Sequence, residues 1–260
     1  MGYPDRWRSC NGLEIRADDL FGNLQRARQF EGAYKLQRVT NPVPNGEWLV
    51  TPQTVNAYYN PVLNEVVVPA AMLQPPLFDP NADDAANYGA IGAIVGHEIA
   101  HGFDDRGRRF DGRGAAVDWW TPADADAFSA RARTLVDQFN VYSPVAGAHV
   151  NGALTLHENV GDLSGLEIAW RAYKLSLGGR PSAISDGFAG EQRFFFSWAQ
   201  AWKGQMREEY LRQTLASTPH APPEYRANGP VSNLRGFYEA FNVAPGDRLY
   251  RDATRRVSFW

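Results

Sequence analysis

The sequence predicts a mainly α domain with a small β element placed early, an α+β arrangement around one core. Three observations carry this expectation. Apolar residues recur at helical spacing in several long segments; β-favouring runs are confined to residues before 73; and neither an internal repeat nor a flexible linker divides the chain. With 260 residues, 44% of them hydrophobic and 21% charged, the chain can bury a sizeable core.

From Met1 to Tyr34 the pattern is polar and helical, with Asp18 and Asp19 near a helix start and Leu20, Leu24 and Ala27 on one side, as in a helix that covers a core. Between Leu36 and Leu73, the runs Trp48-Leu49-Val50, Thr54 to Tyr59 and Glu65 to Val68 are broken by turns such as Asn60-Pro61. They predict two or three short strands. Leu73 to Ala86 carries Pro75, Pro76 and Pro80 and reads as loop. Tyr88 to His101, apolar at Ile91, Ile94, Val95 and Ile99, reads as a buried helix. Its glycines 89, 92, 96 and 102 each cost about 1 kcal/mol against Ala, so neighbouring backbones are expected to approach closely, with Gly102 as terminator.

Asp104 to Asp118 is loop-like. Thr121-Pro122-Ala123-Asp124 then supplies an N-cap, a proline at the first helical position and an acid in the first turn, ahead of Phe128, Ala132, Leu135 and Phe139. Leu156 to Leu177 is a helix stopped by Gly178-Gly179, and Phe194 to Leu215 reads as another long one. A last helix, Ser232 to Phe241, follows a Pro222-Pro223 loop.

Composition excludes some functions. The net charge is −3, from 26 basic and 29 acidic residues with no block of five like charges, so nucleic acid is not an expected partner. Cys10 has no second cysteine to pair with. No run of 18 apolar residues predicts a transmembrane segment, and Met1 to Asn11 lacks the basic-then-apolar pattern of a signal peptide.

The chemistry concentrates in His97-Glu98-Ile99-Ala100-His101. Histidines at i and i+4 share one helix face and can bind one Zn²⁺, while the Glu beside the first His can reach a metal-bound water as general base. Two satisfied core histidines are the bland alternative. A catalytic zinc takes three protein ligands, so a third is needed from elsewhere. Asp104 and Gly107 stand where a metzincin needs Gly and His, and the first Glu after the motif is Glu158. It opens a helix with Asp162 one turn on, able to orient a ligand histidine; the alternative is an acidic, solvated first turn.

Taken together, His97-Glu98-Ile99-Ala100-His101-Gly102-Phe103-Asp104-Asp105 and Glu158-Asn159-Val160-Gly161-Asp162 resemble the neprilysin and endothelin-converting-enzyme family of zinc metallopeptidases, thermolysin-like gluzincins. Val55-Asn56-Ala57-Tyr58-Tyr59, Pro69 to Pro76, Asp118-Trp119-Trp120, Pro219 to Arg226 and the terminal Trp260 agree, so the resemblance runs from Gly2-Tyr3-Pro4 to the last residue and implies one catalytic domain over residues 1–260. It implies a thermolysin-like zincin catalytic domain with one Zn²⁺ between two core helices, hydrolysing oligopeptides.

By the same resemblance His97, His101 and Glu158 bind zinc, Glu98 activates the water, and Asp104 and Asp162 support the ligands. His220 donates to the oxyanion, Arg226 binds a substrate carbonyl and is held by Asp162, and Asn56 and Ala57 pair with the peptide backbone. Met72, Leu77, Ile94 and Trp202 line the pocket after the scissile bond, which favours large apolar side chains. His149 and His157 read as surface or structural residues. The family's N-terminal helical lobe is absent from these residues, and so are its C-terminal disulfide positions, as in a bacterial member. An inactive zinc-binding fragment is therefore the rival expectation. Family members act outside the cytoplasm, so an extracytoplasmic location is expected.

Overall fold

The computed structural model describes residues 1–41 and 46–260. Its helices are α1 (Leu20–Thr40), α2 (Asp84–Asn87), α3 (Ala93–Ala100), α4 (Pro122–Asn140), α5 (Leu156–Ser176), α6 (Gly190–Ala201), α7 (Glu208–Ser217), α8 (Pro223–Val231) and α9 (Arg235–Phe241). The strands form two antiparallel pairs, β1 (Tyr58–Asn60) with β2 (Glu65–Val67) and β3 (Ile184–Ser185) with β4 (Phe188–Ala189). The first pair joins Tyr58 to Val67 and Asn60 to Glu65. The domain is thus mostly helical with a small early sheet, as the sequence predicts, and with a second short pair, β3–β4, outside the residues before 73 where strands were expected.

Local chemistry sets the helix starts. Asp19 Oδ1 accepts from the Gly22 amide at 2.8 Å and caps α1, and Thr121 Oγ1 accepts from the Asp124 amide at 3.2 Å ahead of Pro122 in α4. Phe128, Ala132, Leu135 and Phe139 of α4 are buried together with Val160, Leu163 and Leu166 of α5 and Phe194 and Trp198 of α6. Burial of each large apolar side chain contributes about 1.5–3 kcal/mol. A smaller cluster, Ala57, Val68, Met72, Ile91 and Ile94, lies between the sheet and α3.

The glycines of the α3 segment explain how it is seated. Tyr88–Gly92 forms a π-helical turn that runs directly into α3. A Cβ on Gly89 would lie 2.1 Å from the Phe194 carbonyl oxygen, and one on Gly96 would lie 2.7 Å from that of Gly165. Across the same contact, a Cβ on Gly165 would sit 2.3 Å from the His97 amide nitrogen and 2.6 Å from the Ala93 oxygen. The helices α3 and α5 therefore meet backbone to backbone. Gly165→Ala is expected to lower stability by about 1–3 kcal/mol through forced separation of the two helices, read as the shift in thermal or denaturant unfolding.

Several elements differ from the expectation. The first helix starts at Leu20, next to Asp18 and Asp19 as expected, but it covers no core, since Leu20 is 77% and Leu24 52% exposed. Trp48-Leu49-Val50 forms no strand, and the Thr54 to Tyr59 run is extended into a ladder only from Tyr58. The long helix expected from Phe194 to Leu215 is two helices, because the chain leaves helical geometry after Ala201 and passes Gly204 before re-entering at Glu208. Pro222-Pro223 is a helix start rather than a loop: Pro223 occupies the first position of α8 and Glu224 its first turn.

Candidate metal centre

Two helices and one turn bring the site together. His97 and Glu98 project from α3, with His101 at its C-cap, and Glu158 and Asp162 project from the first turns of α5. His97 and Glu158 are both buried, and the ligand-capable atoms of His97, His101 and Glu158 all lie within 4.8 Å of one another. Gly161 makes room for this, since a Cβ there would lie 2.8 Å from His97 Nδ1.

Each histidine is turned by a carboxylate behind it. His97 Nδ1 is 2.9 Å from Asp162 Oδ1, and His101 Nδ1 is 2.7 Å from Asp104 Oδ2. A ring N–H donated to the carboxylate at Nδ1 leaves the Nε2 lone pair free, the form in which imidazole binds a metal. The carboxylates are themselves fixed. Asp104 Oδ1 accepts from the amides of Arg106 at 2.8 Å and Gly107 at 2.7 Å. Asp162 receives the Arg226 guanidinium as a fork, Nε to Oδ2 and Nη2 to Oδ1, each at 2.7 Å. The guanidinium carbon in turn lies 3.7 Å from the centre of the Trp202 ring.

Glu158 shows why a cation fits here. Its Oε2 is buried and accepts no hydrogen bond, although His97 Nε2 stands 3.3 Å away and His220 Nε2 3.2 Å away. Burial disfavours the ionised carboxylate, but His220 and His97 outweigh it and hold the group far below the usual carboxylate range. A buried anionic oxygen without a donor, grouped with His97 and His101, whose Nδ1 atoms already face Asp162 and Asp104, makes a donor set that a zinc ion could use.

In the metal-free protein burial disfavours the His97 cation, yet Asp162 and Glu158 prevail and raise its pKa from 6.5 to about 9. The folded state thus binds this proton more tightly than the unfolded chain. The stabilisation is complete below pH 6.5 and is lost as the pH rises through about 9. Zinc must displace the same proton, so zinc addition to stripped protein at pH 7.5 is expected to release protons, with affinity rising until about pH 9. Titration in a weakly buffered indicator solution measures the release.

The site opens into a cavity of about 520 Å³. Its wall includes Asn56 and Ala57 before β1, the apolar group Met72, Leu77, Ile94 and Trp202, and Glu98, His220 and Arg226. Every site residue anticipated from the sequence lines this cavity except Asp162, which sits behind His97. Burial pushes the Glu98 carboxyl up, as suits a group that accepts and returns a proton. His157, set aside in the sequence as surface or structural, also lines the cavity; its position next to Glu158 at the start of α5 was the signal available. His149 is exposed.

A helix bearing the His97 to His101 motif, with an acidic partner from a later helix, defines a zincin of the gluzincin kind. The chain belongs to peptidase family M13: the model described as "Peptidase family M13" matches residues 56–257. It is 39% identical to an endothelin-converting enzyme homolog of Locusta migratoria over 96% of the chain, and 34% identical to human neprilysin over all of it. The crystal structure of the Mycobacterium tuberculosis zinc metalloprotease Zmp1 with an inhibitor superposes with a TM-score of 0.95 at 52% identity, over 99% of this chain and 40% of that one. PepO of Lactobacillus rhamnosis superposes with a TM-score of 0.89 at 34% identity, again over 99% of this chain and 40% of that one. The chain spans 36% of the length of the two curated relatives. No helix among the described residues is long and apolar enough to cross a membrane.

Proposed function

We propose that residues 1–260 form the catalytic portion of a zinc-dependent metalloendopeptidase that cleaves oligopeptides. The observation that carries this reading is the convergence of His97, His101 and Glu158 beside the buried Glu98 in one open cavity. His97 Nε2, His101 Nε2 and the Glu158 carboxylate would hold the ion. Zinc bound there supplies a Lewis acid for a water and for a peptide carbonyl. Glu98 takes the proton of the attacking water and passes it to the leaving amine. His220 donates to the developing oxyanion, and Arg226, braced by Asp162 and Trp202, donates to a substrate carbonyl. Asn56 and Ala57 offer their backbone to an extended peptide ahead of β1. Met72, Leu77, Ile94 and Trp202 accept a large apolar residue after the scissile bond. The resemblance to M13 relatives supports action outside the cytoplasm.

Internally quenched peptides test this reading. Phe or Leu after the scissile bond is expected to exceed Gly in kcat/KM by about 10–200-fold, with loss of all hydrolysis on chelation and recovery on adding zinc. Equal rates for Phe, Leu and Gly would remove the apolar pocket from the account. A second reading of the same residues is a zinc-binding portion with little activity of its own. One zinc per chain with no hydrolysis of any peptide would select it.

A further inference from the structure

The cavity of the metal centre has two arginines in its wall, Arg106 and Arg226, and they differ in what they hold. Arg226 is committed, its guanidinium forked onto Asp162 and set over the Trp202 ring. Arg106 is exposed, and among the described residues its guanidinium makes no ion pair, no hydrogen bond and no contact with an aromatic face. Its backbone, by contrast, is fixed. The Arg106 amide donates to Asp104 Oδ1 at 2.8 Å, and Asp104 Oδ2 stands 2.7 Å from His101 Nδ1. The next residue is packed closely too, since a Cβ on Gly107 would lie 1.7 Å from the His101 carbonyl oxygen.

The place of Arg106 along the cavity follows from α3. Ile94, in the first turn of α3, packs with Met72 and Leu77 at the apolar pocket. His101 caps the other end of the helix, about 10 Å away at 1.5 Å per residue, and Asp104 ties Arg106 to that end. An extended peptide rises about 3.3 Å per residue, so the same span holds about three residues. With the residue after the scissile bond at Ile94, the end marked by Arg106 receives residues that precede the bond. A cation with no partner in the wall of a cleft attracts an anion more strongly than one on an open surface, because the walls focus its field.

We propose that Arg106 is a specificity-determining residue that pairs with an acidic side chain, Asp or Glu, among the three residues before the scissile bond. The inference rests on the peptidase reading above and names a substrate class for the same cavity. A pair between partly exposed charges is worth about 2–5-fold. It is also screened by salt, since the Debye length falls from about 10 Å at 0.1 M to about 3 Å at 1 M.

The test gives the zinc-loaded chain internally quenched peptides with Phe after the scissile bond and Glu, Gln or Lys at each of the three preceding positions in turn. A twin of each peptide with a reduced, uncleavable bond gives Kd by fluorescence anisotropy. At one position or more, Glu is expected to exceed Gln by about 2–5-fold in kcat/KM and in affinity, with Lys below Gln. The ratio is expected to approach one at 1 M salt. Arg106→Gln is expected to lose the ranking and Arg106→Glu to reverse it. Arg109→Gln, at an exposed arginine outside the cavity wall, is expected to keep it. Where an Arg106 variant fails to fold, the salt dependence of the parent still decides. Equal values for Glu, Gln and Lys at all three positions would overturn the proposal, as would a ranking unchanged at 1 M salt, retained in Arg106→Gln or lost in Arg109→Gln. A parent that binds the uncleavable peptides in the expected order yet cleaves none would uphold the pairing and overturn the peptidase reading. A parent that binds no peptide would overturn both.

Discussion

Glu98→Gln is expected to lower kcat for peptide hydrolysis by about 10²–10⁴-fold while zinc content stays at one per chain. The amide matches the carboxylate in size, so the buried pocket on α3 keeps its packing, and Glu98 is not among the three residues that converge as ligands. What disappears is the group that accepts a proton. Burial already raises the Glu98 pKa, which means the ionised form costs stability in the metal-free fold at neutral pH. Stripped Glu98→Gln protein is therefore expected to unfold at the same temperature as the parent or higher. A parental rate in a variant retaining its zinc would exclude Glu98 as the base.

Glu158→Ala is expected to have the second large effect, the loss of retained zinc after dialysis together with a less stable metal-free protein. The carboxylate is approached by His97 at 3.3 Å, His220 at 3.2 Å and Arg226 at 3.7 Å, and its removal leaves these nitrogens facing one another across a gap. Breaking a buried ion pair on one side costs about 3–5 kcal/mol. Glu158→Gln separates the two consequences, since it fills the volume and removes the charge. Metal analysis and unfolding of both variants measure them.

The residues most legible in the sequence are those whose role is local. The i, i+4 spacing of His97 and His101 and the Thr121-Pro122 start of α4 are set by helix geometry and capping, and both stand as read. Glu158 was reachable as the first Glu after the motif, and Asp162 followed from one helical turn. What depended on tertiary placement was hidden. Phe195, Trp198 and Trp202 continue at helical spacing into residues that later resume a helix, so the interruption between Ala201 and Glu208 left only Gly204 as its sign. The apolar positions of α1 looked like a covering face, yet nothing in a helical period says whether a core lies opposite it. His157 was read as surface or structural because no motif spacing includes it; its place in the cavity wall beside Glu158 and edge-on to His101 depends on the fold.

Anomalous diffraction at the zinc absorption edge, from crystals of the zinc-loaded chain, tests the central claim most directly. The account predicts one strong peak per chain, bounded by His97 Nε2, His101 Nε2 and the Glu158 carboxylate, with Asp162 and Asp104 still behind the two histidines. A peak at any other group of residues, or none in protein that hydrolyses peptides, would contradict it.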